Sequence, residues 1–158
     1  MTQPRRPAQA SIVSGYFNPF HQGHLDLFEA ARERTGYLIV IVNNDRQQVL
    51  KKGRVIQEEE IRARIVRALR VVDDVYVAVE DGPGIDGTFD VIRSAYPDTE
   101  LQFCNGGDRR NVDELPVDEA KAAARNNITL YYGVGGTDKA DSSTRILAAM
   151  EATPTSAG

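Results

Sequence analysis

The sequence holds a single cysteine, Cys104, which excludes an internal disulfide and fits a reducing compartment. No run approaches the ~20 apolar residues of a membrane span. Residues 1–10, with Pro4, Arg5, Arg6 and Pro7, contain no apolar stretch of signal-peptide length. Positive charge is also in short supply: 19 Lys and Arg stand against 23 Asp and Glu, a net charge of -4, so no overall basic field draws in nucleic acid or an anionic membrane. The expectation is a cytoplasmic protein with neither as a partner, in which any phosphate binding is local. Histidine occurs only twice, as His21 and His24.

What is there fits one α/β domain: 158 residues, 41% hydrophobic and 27% charged. Apolar runs of strand length alternate with helical patterns, which is the signature of βαβ units and a parallel sheet. Ile12-Val13 begins a first strand, and Leu25, Leu27, Phe28 and Ala31 give a helix face. Leu38 to Val42 reads as a central strand covered on both sides. Residues 43–52 read as a loop. A helix follows over 58–70, with Ile61, Ile65, Val66 and Leu69 as its apolar positions and Arg62, Arg64 and Arg67 on its other faces. Strands at 75–79, 101–104 and 128–132 alternate with helices near 89–95, 118–125 and from Ser142 onward. The expected fold is a Rossmann-like, doubly wound, five-stranded parallel sheet in a single domain over 11–151, with flexible ends at 1–10 and 152–158. In such a sheet ligands bind beyond the carboxyl ends of the strands, which singles out residues 15–24, 43–52, 105–110 and 133–144.

The first of these segments, Gly15-Tyr16-Phe17-Asn18-Pro19-Phe20-His21-Gln22-Gly23-His24, places both histidines where a strand turns into a helix. Backbone N–H groups and the helix dipole favour an anion there, and two imidazoles add directional donors. Gly15 allows a close turn, Pro19 stiffens it, and Gly23 leaves room for a phosphate to approach the backbone. The plainer alternative is a pair of satisfied surface histidines among ordinary turn residues.

This segment resembles the HxGH signature of the cytidylyltransferase-like nucleotidyltransferase superfamily, and the likeness runs from about Ile12 to Leu147. The resemblance implies that His21 and His24 contact the phosphates of a nucleoside triphosphate and stabilise the transition state. It places Gly15, Tyr16, Phe17, Asn18 and Gly23 around the nucleotide, with Asn18 standing where many members have Asp. Lys51 and Lys52 match a loop whose lysine reaches the transferring phosphate; on charge alone they read as a solvated basic loop. Arg62, in Glu60-Ile61-Arg62, is expected to order the site structurally through ion pairs. Asn105-Gly106-Gly107-Asp108-Arg109 resembles a segment facing the nucleoside, where Asn105, Gly107 and Asp108 bind nucleotide and Arg109 meets the acceptor. Asn43, Asn44 and Asp45 are also expected on the acceptor side. Asp141-Ser142-Ser143-Thr144-Arg145-Ile146 resembles the opening of the last helix, with Ser142, Ser143 and Thr144 on the distal phosphates. Thr137 stands where relatives have Arg, and Lys139 is the substitute expected there.

The implied reaction is transfer of CMP from CTP to a small phosphate- or phosphonate-bearing acceptor, a polyol or sugar phosphate, with release of pyrophosphate. Mg2+ bridges the triphosphate in this reading, and no side-chain metal cage is expected. The alternatives are an adenylyltransferase using ATP on a sugar phosphate, or a nucleotide-binding sensor without turnover. A homodimer is implied by the resemblance. Gly133-Val134-Gly135-Gly136 lacks the spacing of a dinucleotide fingerprint, and the histidine spacing is not that of a zinc metalloprotease helix.

Overall fold

The computed structural model describes residues 6–82, 84–106 and 117–134. Its elements in chain order are β1 (Gln9–Gly15), α1 (Gln22–Thr35), β2 (Leu38–Val42), α2 (Asp45–Lys52), α3 (Glu59–Arg67), β3 (Asp74–Val77), α4 (Asp86–Ala95), β4 (Glu100–Cys104), α5 (Val117–Arg125) and β5 (Ile128–Tyr131). The five strands form one sheet in the order β3-β2-β1-β4-β5, and every pairing is parallel. The chain steps outward from β1 to β3, then returns to the other side of β1. The reversal falls between β1 and β4, where a doubly wound sheet opens a crevice at its carboxyl edge.

Alternation along β2 shows why the sheet is covered twice. Leu38, Val40 and Val42 join Phe28 and Ala31 of α1 and Ala63 and Val66 of α3 in one core cluster. Ile39 and Ile41 point the other way, into a cluster with Phe89 and Ile92 of α4 and Ala122 and Ala123 of α5. All five β2 residues are fully buried, and each such side chain contributes about 1.5–3 kcal/mol through burial. At the amino end of the sheet, the Tyr96 hydroxyl donates to Asp74 Oδ2 at 2.6 Å and pairs with the Tyr37 hydroxyl at 2.9 Å. A doubly wound sheet takes its ligands at the opposite, carboxyl edge.

Three expectations are corrected. The strand β1 begins at Gln9 rather than after residue 10: Gln9 and Ala10 pair with Glu100 and Leu101, and the Thr99 hydroxyl holds the Pro7 carbonyl at 2.8 Å. Residues 43–52 are mostly a helix. Asn44 caps α2 by accepting from Gln47 N at 2.9 Å, Gln47 Oε1 takes the Asn44 N–H in return, and Gly53 at φ 77° ends it. Third, α3 is rotated relative to its apolar pattern. Its buried residues are Arg62, Ala63 and Val66, while Ile61 and Ile65 are 49% and 41% exposed. The final predicted helix from Ser142 lies outside the described residues.

Candidate functional site

The chain leaves β1 at Gly15, whose carbonyl takes the Asn43 N–H at 2.9 Å, so the ends of β1 and β2 are tied together. A Cβ on Gly15 would lie 2.7 Å from Cε1 of Phe17, so this position has no room for a side chain while that ring stays in place. Phe17 adopts φ 54°, a left-handed conformation that costs a bulky residue on the order of 1–3 kcal/mol. Packing holds it there. Its ring meets His24 edge-on at 4.9 Å and Phe28 at 5.3 Å between centroids. The turn between β1 and α1 is thus braced against the first helical turn.

His21 is the N-cap of α1. Its Nδ1 accepts from Gly23 N at 3.1 Å, while Nδ1 of His24 accepts from His21 N at 3.2 Å. The two rings stack with centroids 3.7 Å apart and planes 21° from parallel. Because a backbone N–H can only donate, each Nδ1 is an acceptor, and the proton of each neutral imidazole sits on Nε2. Two N–H donors are thereby fixed at a helix N-terminus, where the dipole already favours negative charge. Gly23 lies between the two histidines.

Asn18, fully buried in the same turn, links this region to α2. Its Oδ1 accepts from Lys52 Nζ at 2.9 Å, and its Nδ2 donates to Gln48 Oε1. Lys51 Nζ lies 4.8 Å above the Tyr16 ring, and the Tyr16 hydroxyl donates to the Gln47 carbonyl at 3.3 Å. Lys51 is exposed and Lys52 half-buried. Burial, reinforced by the positive charges of Lys51 and Arg62, holds the Lys52 ammonium below the usual lysine range. Its partner at residue 18 is neutral, so this contact leaves its charge uncancelled.

Arg62, 1% exposed, supplies the frame. Its Nε donates to the Gln57 carbonyl at 2.7 Å, one terminal nitrogen donates to the carbonyls of Tyr16 and Asn43, and the other to Asp45 Oδ1 at 2.9 Å. One guanidinium therefore fastens the ends of β1 and β2, the start of α2 and the segment before α3. The rigid fork of donors suits four acceptors in fixed places.

Asn43 and Asn44 commit their side chains to the loop. Asn43 Nδ2 donates to Gln47 Oε1 at 3.0 Å, and Asn44 Nδ2 to the carbonyls of Ala78 at 2.8 Å and Glu80 at 2.6 Å. Both are buried, and these bonds build the β2–α2 junction. Asn105 is likewise buried and ties β4 to β5: its N–H donates to the Tyr131 carbonyl at 2.8 Å, and its own carbonyl accepts from Val134 N at 3.0 Å. Gly107, Asp108, Arg109, Lys139, Ser142, Ser143 and Thr144 lie outside the described residues. Cys104 is a core residue whose thiol burial pushes up, with partial relief from a Ser11 hydrogen bond.

Two residues were absent from the sequence reading: Gln47 and Gln48, both fully buried. Gln47 Nε2 donates to the carbonyls of Gly82 and Gly84 at 2.9 and 2.7 Å, while Gln48 joins Asn18 to the backbone before α3. Gln47 had a signal, standing three residues after the cap Asn44; Gln48 had none. Among the described residues, no group of three or more His, Cys, Asp or Glu could hold a metal ion, and no helix is long and apolar enough to cross a membrane.

Comparisons with known proteins bear on the family and the fold. The chain is 33% identical over 152 residues to the bifunctional protein HldE of Gluconobacter oxydans, covering 95% of this chain and 29% of that protein. It is 38% identical over 88 residues to the FAD synthase of Pyrococcus horikoshii, covering 55% of this chain and 57% of that one. The chain thus spans less than two thirds of the length of either relative. Thermotoga maritima TmcAL, in a crystal structure bound with alpha-thio ATP, superposes with a TM-score of 0.60 at 16% identity, covering 90% of this chain and 50% of that one. The family profile described as Cytidylyltransferase-like matches residues 12–109, from the first strand past the carboxyl end of β4. With that match over more than half its length, the chain belongs to the cytidylyltransferase-like family, within the nucleotidyltransferases.

Proposed function

We propose that this chain transfers the adenylyl group of ATP to a small phosphate-bearing acceptor and releases pyrophosphate. The observation that carries the reading is the stacked pair His21 and His24, each held at Nδ1 by a backbone N–H so that both present Nε2–H at the start of α1. An acceptor oxygen attacks the α-phosphorus, one P–O bond forms, and the bond to the β-phosphate oxygen breaks. A phosphate acceptor is already anionic at pH 7, so no proton need be removed. The chemistry is then one of positioning and of neutralising charge that moves onto pyrophosphate. His21, His24, Lys52 and the α1 N-terminus are the described groups suited to it, with Lys51 beside them over Tyr16.

ATP is favoured over CTP by the names of the relatives. FAD synthases make an adenine dinucleotide, and they match this chain at 38% identity. CTP is the second reading, favoured by the family's own description. Sugar and polyol phosphates are the acceptor class to test first. Mg2+ would accompany the triphosphate in this reading and would offset negative charge on the departing pyrophosphate.

The test is pyrophosphate release with ATP, CTP, GTP and UTP against a panel of sugar phosphates, polyol phosphates and phosphonates. Release with ATP and one acceptor class supports the reading. Release with CTP alone replaces the nucleotide, and nucleotide binding without release for every pair replaces the enzyme with a sensor.

A further inference from the structure

We propose that Gln48 is a positioning residue for Lys52, acting through Asn18: it fixes which way the Asn18 amide faces and so where the Lys52 ammonium is held. The proposal rests on the reading above only for the identity of the phosphates that Lys52 meets. Its geometry is independent of that.

The hydrogen bonds in this cluster run in one sense. An ammonium only donates, so the atom of Asn18 that faces Lys52 Nζ at 2.9 Å must be the amide oxygen. The Asn18 NH2 then points to residue 48 and requires an acceptor there, which is Gln48 Oε1. The orientation of Gln48 is set in turn from its far side by two backbone groups. Ile56 N–H donates to Oε1, and the Gln57 carbonyl accepts from Nε2 at 3.0 Å. A backbone N–H cannot accept and a carbonyl cannot donate. Turning Gln48 over would set donor against donor at Ile56 and at Asn18, and acceptor against acceptor at Gln57.

Asn18 and Gln48 are both fully buried, so water is poorly placed to repair such a reversal. The polarity of residues 56 and 57 therefore passes through two amides to the lysine. Both relaying amides are neutral, and the one charged group that touches them, the Asp45 carboxylate 3.4 Å from Gln48 Nε2, lies on the side away from Lys52 and favours the same orientation of Gln48. A carboxylate at residue 18 would hold Lys52 as firmly but would cancel its charge, whereas an amide oxygen positions the ammonium and leaves the charge for an incoming anion. A glutamine carrying both a donor and an acceptor is what lets an asparagine serve at residue 18.

A purely structural role for Gln48, stitching residues 56–57 to the β1–α1 turn, would affect ligand binding equally whether or not Lys52 is present. The experiment separates the two. ATP affinity of the full chain is measured by titration calorimetry for the unaltered protein, Gln48→Met, Lys52→Met and the double variant, with folding checked by circular dichroism. The expected result is about tenfold weaker ATP binding for Gln48→Met, at least as large a loss for Lys52→Met, and less than about twofold further loss when Gln48→Met is added to Lys52→Met. An equal loss in both backgrounds, or none in either, overturns the proposal.

Should Gln48→Met fail to fold, the unaltered protein still decides. The side-chain amide protons of Asn18 are expected to exchange with solvent at least about tenfold more slowly than those of the exposed Asn127, as observed by NMR. Equal rates overturn the relay. An unaltered protein that binds no ATP sinks the adenylyl reading instead, and the exchange measurement then judges the relay alone.

Discussion

The imidazole of His21 lies against that of His24 with 3.7 Å between ring centroids, and each Nδ1 is held by a main-chain N–H of the same helical turn. The stack fixes both rings and their tautomers before any ligand arrives, which is the condition for electrostatic catalysis without reorganisation.

Replacing either histidine should therefore slow turnover far more than it weakens the fold. His24→Ala is expected to lower kcat by about 10²–10³, the loss typical of one preorganised donor to a developing charge. His21→Asn gives a sharper contrast, because asparagine is a good N-cap and keeps the helix start while removing the Nε2 donor. Its urea midpoint should stay near that of the unaltered protein while kcat falls as for His24→Ala. Steady-state pyrophosphate release and equilibrium unfolding check the pair.

Arg62 should show the opposite pattern, with stability lost first. Arg62→Met removes the donor shared by four acceptors, one of them the partly exposed Asp45 carboxylate, and at least about 2 kcal/mol of destabilisation is expected in urea unfolding. Arg62→Lys should recover little of it, because one ammonium cannot reach acceptors arranged for a planar fork.

Lys52 predicts an alkaline limit to ligand binding. Its ammonium titrates below the ordinary lysine value of 10.5 because burial, then Lys51 and Arg62, disfavour the charge. ATP affinity should accordingly fall as pH rises through the lowered pKa, and Lys52→Met should abolish that limb. The linked effect on stability has the opposite sign. Between the lowered folded value and 10.5 the unfolded chain binds more protons, so this group adds stability as pH rises across that window. Calorimetric titrations and urea unfolding over a pH series check both.

Gly15→Ala should disturb the histidines from a distance. A Cβ there falls 2.7 Å from the Phe17 ring, which is wedged between Gly15 and the edge of His24. The expected outcome is about 1–3 kcal/mol of lost stability from overpacking, together with a fall in kcat. A crystal structure of the variant should show Phe17 displaced.

Much of the frame was legible because hydrophobic period carries it. Leu38 to Val42 read as a doubly covered strand, and the structure buries all five residues. The misreadings arose where polar groups, not apolar ones, decide the packing. Residues 43–52 looked like a loop because they are polar, yet a reciprocal cap between Asn44 and Gln47 and the αL glycine Gly53 make them a helix. The face of α3 was read from Ile61, Ile65, Val66 and Leu69; Val66 and Leu69 do meet the core, but four acceptors draw the Arg62 guanidinium inside, and that turns the two isoleucines outward. Gln48 escaped notice because its role depends on partners 30 residues earlier and eight or nine later. The leaning toward CTP had no such physical basis: the segment resembling a nucleoside-facing loop centres on Gly107 and Asp108, and the lean rested on likeness of motif.

The capping role of His21 has a consequence for how this site can change. The side chain that opens α1 also carries one of the two fixed donors, so a substitution at residue 21 is judged twice, once by the helix and once by the ligand. Asparagine or serine satisfies the helix alone, and alanine satisfies neither.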